Sequence, residues 1–193
     1  MIRMLQIALL SMTFLFTAFA QAAQEAPLNN TRWVVMNDNK SAYTTFSGNP
    51  YAGGEGVILG TACVEKNNAH MKSMTFIVGD GGTLPKKLSD LLNIVTSDES
   101  AVHNEKIGLQ LAFSDGSTYV YQLVKAQQKF QKGIIISELT LAVSDEVHNK
   151  LKRTNWIDLD LFVDGKIFGM FKPFKLNGSM AAINKSSGCY GDF

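Results

Sequence analysis

Asp158 and Asp160 are the side chains best spaced for chemistry. They stand two apart in Trp156-Ile157-Asp158-Leu159-Asp160-Leu161-Phe162. On a strand such residues share a face, roughly 7 Å apart, opposite Ile157, Leu159 and Leu161. Paired carboxylates can divide acid and base work, or help to hold calcium if further oxygen ligands converge. The competing reading is a solvated strand face, with Lys and Arg across from the acids and Trp156 and Phe162 beside them. No GxSxG elbow and no HExxH motif occurs anywhere in the chain. His70, His103 and His148 pair with no second histidine or cysteine at helical or strand spacing, so they read as surface residues rather than zinc ligands. No catalytic residue, metal or cofactor is therefore assigned.

Two glycine-rich segments, Gly54-Glu55-Gly56 and Gly79-Asp80-Gly81-Gly82, could be weighed as phosphate loops. The first leads into a strand rather than a helix. The second precedes a helix but lacks the Lys-Ser/Thr pair that would reach phosphate and magnesium, so both read as turns. Phe171-Lys172-Pro173-Phe174-Lys175 sets aromatics among lysines beside a proline. Phe171, Lys172, Phe174 and Lys175 are accordingly candidates for docking a partner, since exposed aromatics tend to carry binding energy. Core packing is the alternative for Trp156, Phe162, Phe168, Phe171, Phe174 and Tyr190.

The elements that must position these residues begin after a distinct leader. Residues 1–20 carry one charge, Arg3, then an apolar run from Ile7 to Phe19 and small residues at Ala18 and Ala20. This is the layout of a secretory signal, with cleavage expected after Ala20. The run is shorter than the ~20 residues of a membrane span. Residues 21–30 read as a flexible leader, and 31–193 as a single domain. Of 18 basic and 17 acidic residues, Arg3 leaves with the signal, so the mature chain carries 17 of each. Such a balance provides no basic field for nucleic acid. At 46% hydrophobic and 18% charged, the chain can bury a core and is not a disordered one. Export would place Cys63 and Cys189, the only cysteines, in an oxidising compartment, where a lone pair reads as one disulfide; two free thiols are the other reading.

Along the domain, apolar or alternating runs predict short strands: 32–36, 43–46, 57–64, 74–78, 107–113, 118–124, 134–141, 156–163 and 166–171. Leu84, Leu88, Leu91, Leu92 and Val95 fall on one helical face, with Pro85 in the first turn. Ser144-Asp145-Glu146 opens a short helix carrying Val147 and Leu151. A last helix is expected after Gly178, with Ser179 capping its first turn and Ala181, Ala182 and Ile183 packing inward. The expected fold is mainly β, an antiparallel β-sandwich with two or three short helices.

Phe174-x-Leu176-x-Gly178-Ser179-x-Ala181-Ala182-Ile183 followed by Cys189-Tyr190 resembles the ending of two periplasmic bacterial families, the invasion-associated locus B family and the type VI secretion accessory proteins. Trp33-Val34-Val35 and Cys63 ahead of strand 74–78 match their layout, whereas Met36 and Asn37 stand where a cysteine often follows the opening segment. The resemblance implies a secreted β-sandwich that acts by binding. The function expected is thus an exported, noncatalytic, periplasmic or secreted binding protein whose partner is another envelope or secreted protein. A small hydrolase using Asp158 and Asp160, or a carrier of an apolar ligand between its sheets, is the alternative. No stable membrane span is expected once the signal is removed.

Overall fold

The computed structural model describes residues 32–35, 41–47, 50–66, 69–97, 101–102, 104–169 and 173–186, with the backbone alone at 47, 63–66, 69 and 70. The expected signal and leader, the side chain of Cys63, all of Cys189, His103, Phe171, Lys172 and Tyr190 lie outside the described residues, as does the side chain of His70.

Ten strands form one antiparallel hydrogen-bonded network. They are β1 (Val34–Val35), β2 (Ser41–Ser47), β3 (Gly56–Lys66), β4 (Ala69–Asp80), β5 (Ile107–Phe113), β6 (Thr118–Gln131), β7 (Ile134–Ala142), β8 (Trp156–Val163), β9 (Lys166–Gly169) and β10 (Phe174–Lys175). Three helices accompany them: α1 (Lys86–Ser97), α2 (Asp145–Arg153) and α3 (Ser179–Lys185). The strand order is β1-β2-β3-β4-β7-β6-β5-β8-β10, and β9 pairs with β8. The expectation of a mainly β antiparallel fold with a few short helices holds, and its strands form one continuous sheet that divides into a long and a short limb.

The division lies in β6. Its first part, Thr118–Gln122, pairs with β5, and its second, Leu123–Gln131, pairs with β7. A register irregularity between Leu123 and Lys125 separates the two, and such bulges locally increase strand twist. The sequence indicated a strand only to Val124. Lys125–Gln131 (KAQQKFQ) has no apolar alternation because Lys125, Gln128, Lys129 and Phe130 are all exposed, so its periodicity is silent.

The limbs enclose one core. Val57, Leu59, Met74, Phe76 and Val78 of the long limb share an apolar cluster with Leu109, Leu111, Phe113, Ile157, Leu159 and Leu161 of the short limb. Phe76 of β4 meets Phe174 of β10 edge to face, ring centres 6.1 Å apart. At the outer ends of the strand order, the Trp33 indole N–H donates to the Lys175 carbonyl at 3.3 Å. The sheet therefore nearly returns on itself.

The helices cover what the strands leave open. α1 turns Leu88, Leu92 and Val95 into the core, and Pro85 stands just before it rather than in its first turn. In α2 the Ser144 hydroxyl accepts from the Val147 N–H at 3.3 Å, as the sequence indicated. α3 departs from expectation. Gly178 occupies the cap position with φ 84°, a left-handed conformation that favours glycine, and a Cβ there would also lie 2.9 Å from Arg32 Nε. Ser179 does not cap the helix; its buried hydroxyl donates instead to the Leu151 carbonyl of α2 at 2.6 Å. Ala182 and Ile183 are buried, but Ala181 faces solvent.

Candidate functional site

A strand exposes alternate residues to opposite faces, so the register of the long limb spells out its outer surface. One row across β2, β3, β4 and β7 reads Tyr43, Gly60, Thr75 and Thr140. The next reads Thr45, Ile58, Ile77 and Glu138. The small residues of the first row leave a hollow beside the isoleucine ridge of the second. Ile58, Ile77, Ile134 and Ile136 form a buried cluster separate from the main core, with Tyr43 and Tyr51 packed against it. Tyr51 comes from a short 3-10 turn, Pro50–Ala52, laid over this face. The result is a groove of about 290 Å³ lined by Ser41, Tyr43, Tyr51, Gly60, Thr75 and Glu138, among others.

Its polar rim is well held. Glu138 Oε1 accepts from Lys125 Nζ at 3.0 Å and Oε2 from Gln127 Nε2 at 2.6 Å. Lys129 Nζ lies 4.6 Å from the centre of the Tyr51 ring, within range of a cation–π attraction. Gln131 donates to the Tyr51 carbonyl at 3.4 Å. Burial, and then the nearby charge of Glu138, raises the Tyr51 phenol above its ordinary pKa, so it stays a neutral hydroxyl. Thr75 and Thr140 share a hydroxyl hydrogen bond at 3.3 Å. Sequence reasoning missed this site. The available signals were Gly60 inside an apolar strand, which often marks a close approach, and Tyr51 after a proline in a glycine-rich loop.

Other residues singled out in the sequence take different places. Asp158 and Asp160 do lie on the outer face of β8, opposite buried Ile157, Leu159 and Leu161. In the described register Ala112 stands across from Asp158, and Gln110 and Gly169 stand across from Asp160. Asp158 Oδ1 accepts from the backbone N–H of Leu159 at 3.0 Å. Phe174 is 1% exposed and belongs to the core, so it takes the packing role and not the docking one: its ring is spent on Phe76. Lys175 is half-buried beside it, its carbonyl engaged by Trp33.

His148 is not a surface residue. It lies on the buried face of α2 with Val147 and Leu151. Burial, then the charges of Lys152 and Lys72, push its pKa down to about 4, against a smaller opposing pull from Asp145. The two glycine-rich segments meet each other as turns. Thr83 Oγ1 donates to Glu55 Oε2 at 2.7 Å, and Asp80 Oδ1 accepts from the Gly82 N–H at 2.7 Å. Their carboxylates would repel phosphate.

A polar cleft of about 530 Å³ runs between the β5–β6 turn and α2, lined by Asp115, Glu146, Asn149, Lys150 and Arg153. Its charges are largely matched. Lys150 donates to Asp115 and Tyr119 to Glu146, and the Lys150 hydrogen bond holds the Asp115 carboxyl well below the usual range. The cleft reads as bracing between helix and hairpin. Among the described residues no three His, Cys, Asp or Glu gather as a metal site, and no helix is long and apolar enough to cross a membrane.

Fold and site together define a mainly antiparallel β protein with a small, largely apolar groove on the outer face of its long limb. No family model matches the sequence, no curated protein matches it, and no solved structure matches it.

Proposed function

We propose that the chain is a noncatalytic binding protein, exported to the bacterial periplasm or beyond, that acts through contacts with another envelope or secreted protein. On this reading residues 1–20 are removed and Cys63 is bonded to Cys189, in keeping with the resemblance to the invasion-associated and type VI accessory families. The observation that carries it is Phe130, which is 76% exposed near the end of the β6–β7 hairpin. The hairpin turn has positive φ at both central residues, Lys132 (52°) and Gly133 (84°), the tight form that matches strand twist. Lys129 and Gln131 anchor the opposite face of the strand to Tyr51. Gln128 ties the Phe130 face to Asn93 of α1 at 2.7 Å. A large aromatic held out on a braced hairpin loses little freedom when it docks, which suits a binding anchor. Phe76 and Phe174 meeting between the limbs speaks against an apolar ligand held there.

The test is a photo-crosslinking residue at position 135, on β7 directly across from Phe130, and another at Gln122, exposed on the first part of β6. In envelope extract, position 135 should yield an adduct of defined mass and position 122 none. Phe130→Ala should abolish that adduct with melting temperature unchanged, since truncating an anchor of this kind costs about 2 kcal/mol or more of binding. Equal labelling at both positions, or an adduct that survives Phe130→Ala, would refute the reading.

A further inference from the structure

We propose that the outer groove of the long limb is a binding site for one neutral pyranose ring, free or at the end of a glycan. The proposal differs from the hairpin reading in ligand and in face: Tyr51 and Lys129 lie on the groove side of β6, and Phe130 stands on the other.

Size comes first. About 290 Å³ lies at the lower edge of the range for small-molecule pockets, which suits a single ring better than a chain or a lipid tail. Wall and floor come next. A pyranose presents C–H groups on its flat faces and hydroxyls around its edge. Tyr43 and Tyr51 supply aromatic rings, whose electron-rich faces attract polarised C–H groups. Gly60 stands between Tyr43 and Thr75 in the cross-strand row, so the floor is open where any other residue would project a side chain.

The rim matches the ring's edge. Each oxygen of Glu138 is already fixed by one donor, Lys125 or Gln127, and a carboxylate oxygen retains capacity to accept another hydrogen bond. The Thr75 hydroxyl, which lines the groove and shares a hydrogen bond with Thr140, can both donate and accept. Charge then selects among ligands. Among the described residues, the carboxylate of Glu138 is the one charged group lining the groove, and Lys125 compensates it at 3.0 Å. Lys129 already sits by the Tyr51 ring, where an organic cation would otherwise bind. An anion would meet Glu138. A neutral polyhydroxylated ring suits this balance.

The experiment is amide NMR on the isotope-labelled full chain, titrated separately with glucose, galactose, mannose, N-acetylglucosamine and tetramethylammonium. At least one sugar should shift the amides of Tyr43, Gly60 and Thr75 saturably, and tetramethylammonium should not. Gly60→Val fills the floor. A Cβ there meets only ordinary contacts, 3.6 Å to the Ala42 carbonyl oxygen and to Tyr43 Cβ, so the variant should fold and lose sugar affinity about tenfold or more. Should its melting temperature fall, Tyr51→Leu reads the same site from its other wall and carries the same expectation. Glu138→Gln keeps an accepting oxygen without the charge, and should hold sugar affinity within about tenfold. No saturable shift with any sugar, a response to tetramethylammonium instead, or full affinity in folded Gly60→Val or Tyr51→Leu would overturn the assignment.

Discussion

The long limb and the short limb are built from the same kind of strand but use their outer faces differently. On β8 the alternation is simple: Ile157, Leu159 and Leu161 go in, and Asp158 and Asp160 go out. On β3 and β4 both faces bury apolar side chains. Leu59 and Phe76 enter the main core, while Ile58 and Ile77, one residue on or back, join the outer cluster under Tyr43 and Tyr51. A face with carboxylates is content in water. A face with isoleucines needs a cover, and here the Pro50–Ala52 turn covers it only in part. The incomplete cover is the groove. Chemically conspicuous residues thus mark the plainer limb, and inconspicuous ones line the site.

The comparison can be broken first at the shared core. Phe76→Ala removes a fully buried ring that meets Phe174 across the limbs. It should cost about 3–5 kcal/mol in urea unfolding. A loss below 1 kcal/mol would mean that the limbs stand independently.

A smaller effect comes from His148 in α2, the helix covering the first part of β6. Its folded pKa of about 4 lies below the 6.5 of the unfolded chain. Between those values the unfolded state binds more protons, so stability rises with pH through the window and falls as pH drops from 6.5 toward 4. Lys152, Lys72 and Asp145 are the charges acting on it. Relative to His148→Leu, the natural protein should lose about 2–3 kcal/mol across that window. Asp145 is common to both proteins, so the difference isolates the histidine; parallel pH profiles would contradict the buried neutral imidazole.

The smallest effect sharpens the contrast of outer faces. Asp158→Asn with Asp160→Asn should change stability by no more than about 0.5 kcal/mol per site, as for surface positions. Hydrolysis of a supplied substrate that disappears in this double variant, with folding intact, would move the site to the short limb.

Much of the fold was legible because its signals are local. The β8 alternation, the Ser144-Asp145-Glu146 helix start and the Gly178 turn each follow from a few neighbouring residues. The second part of β6 was not legible, because a strand with polar groups on both faces has no hydrophobic period. Phe174 was ambiguous because the burial of an aromatic is settled by its partner Phe76, 98 positions away in the chain. The groove was hidden for the same reason. Tyr43, Gly60, Thr75 and Glu138 come from four strands, and only register brings them into one hollow.

The meeting of Trp33 with Lys175 spans 142 positions, and it bears on the order in which the chain can fold. Closing so long a segment carries an entropic cost that contacts must repay only after it is closed. Chains dominated by such distant pairings fold slowly. Phe174 and α3 are made long after Trp33 and Phe76, yet those two residues wait for them to complete their packing. A ribosome releasing this polypeptide would hold Trp33 and Phe76 unsealed until Phe174 and Lys175 had emerged.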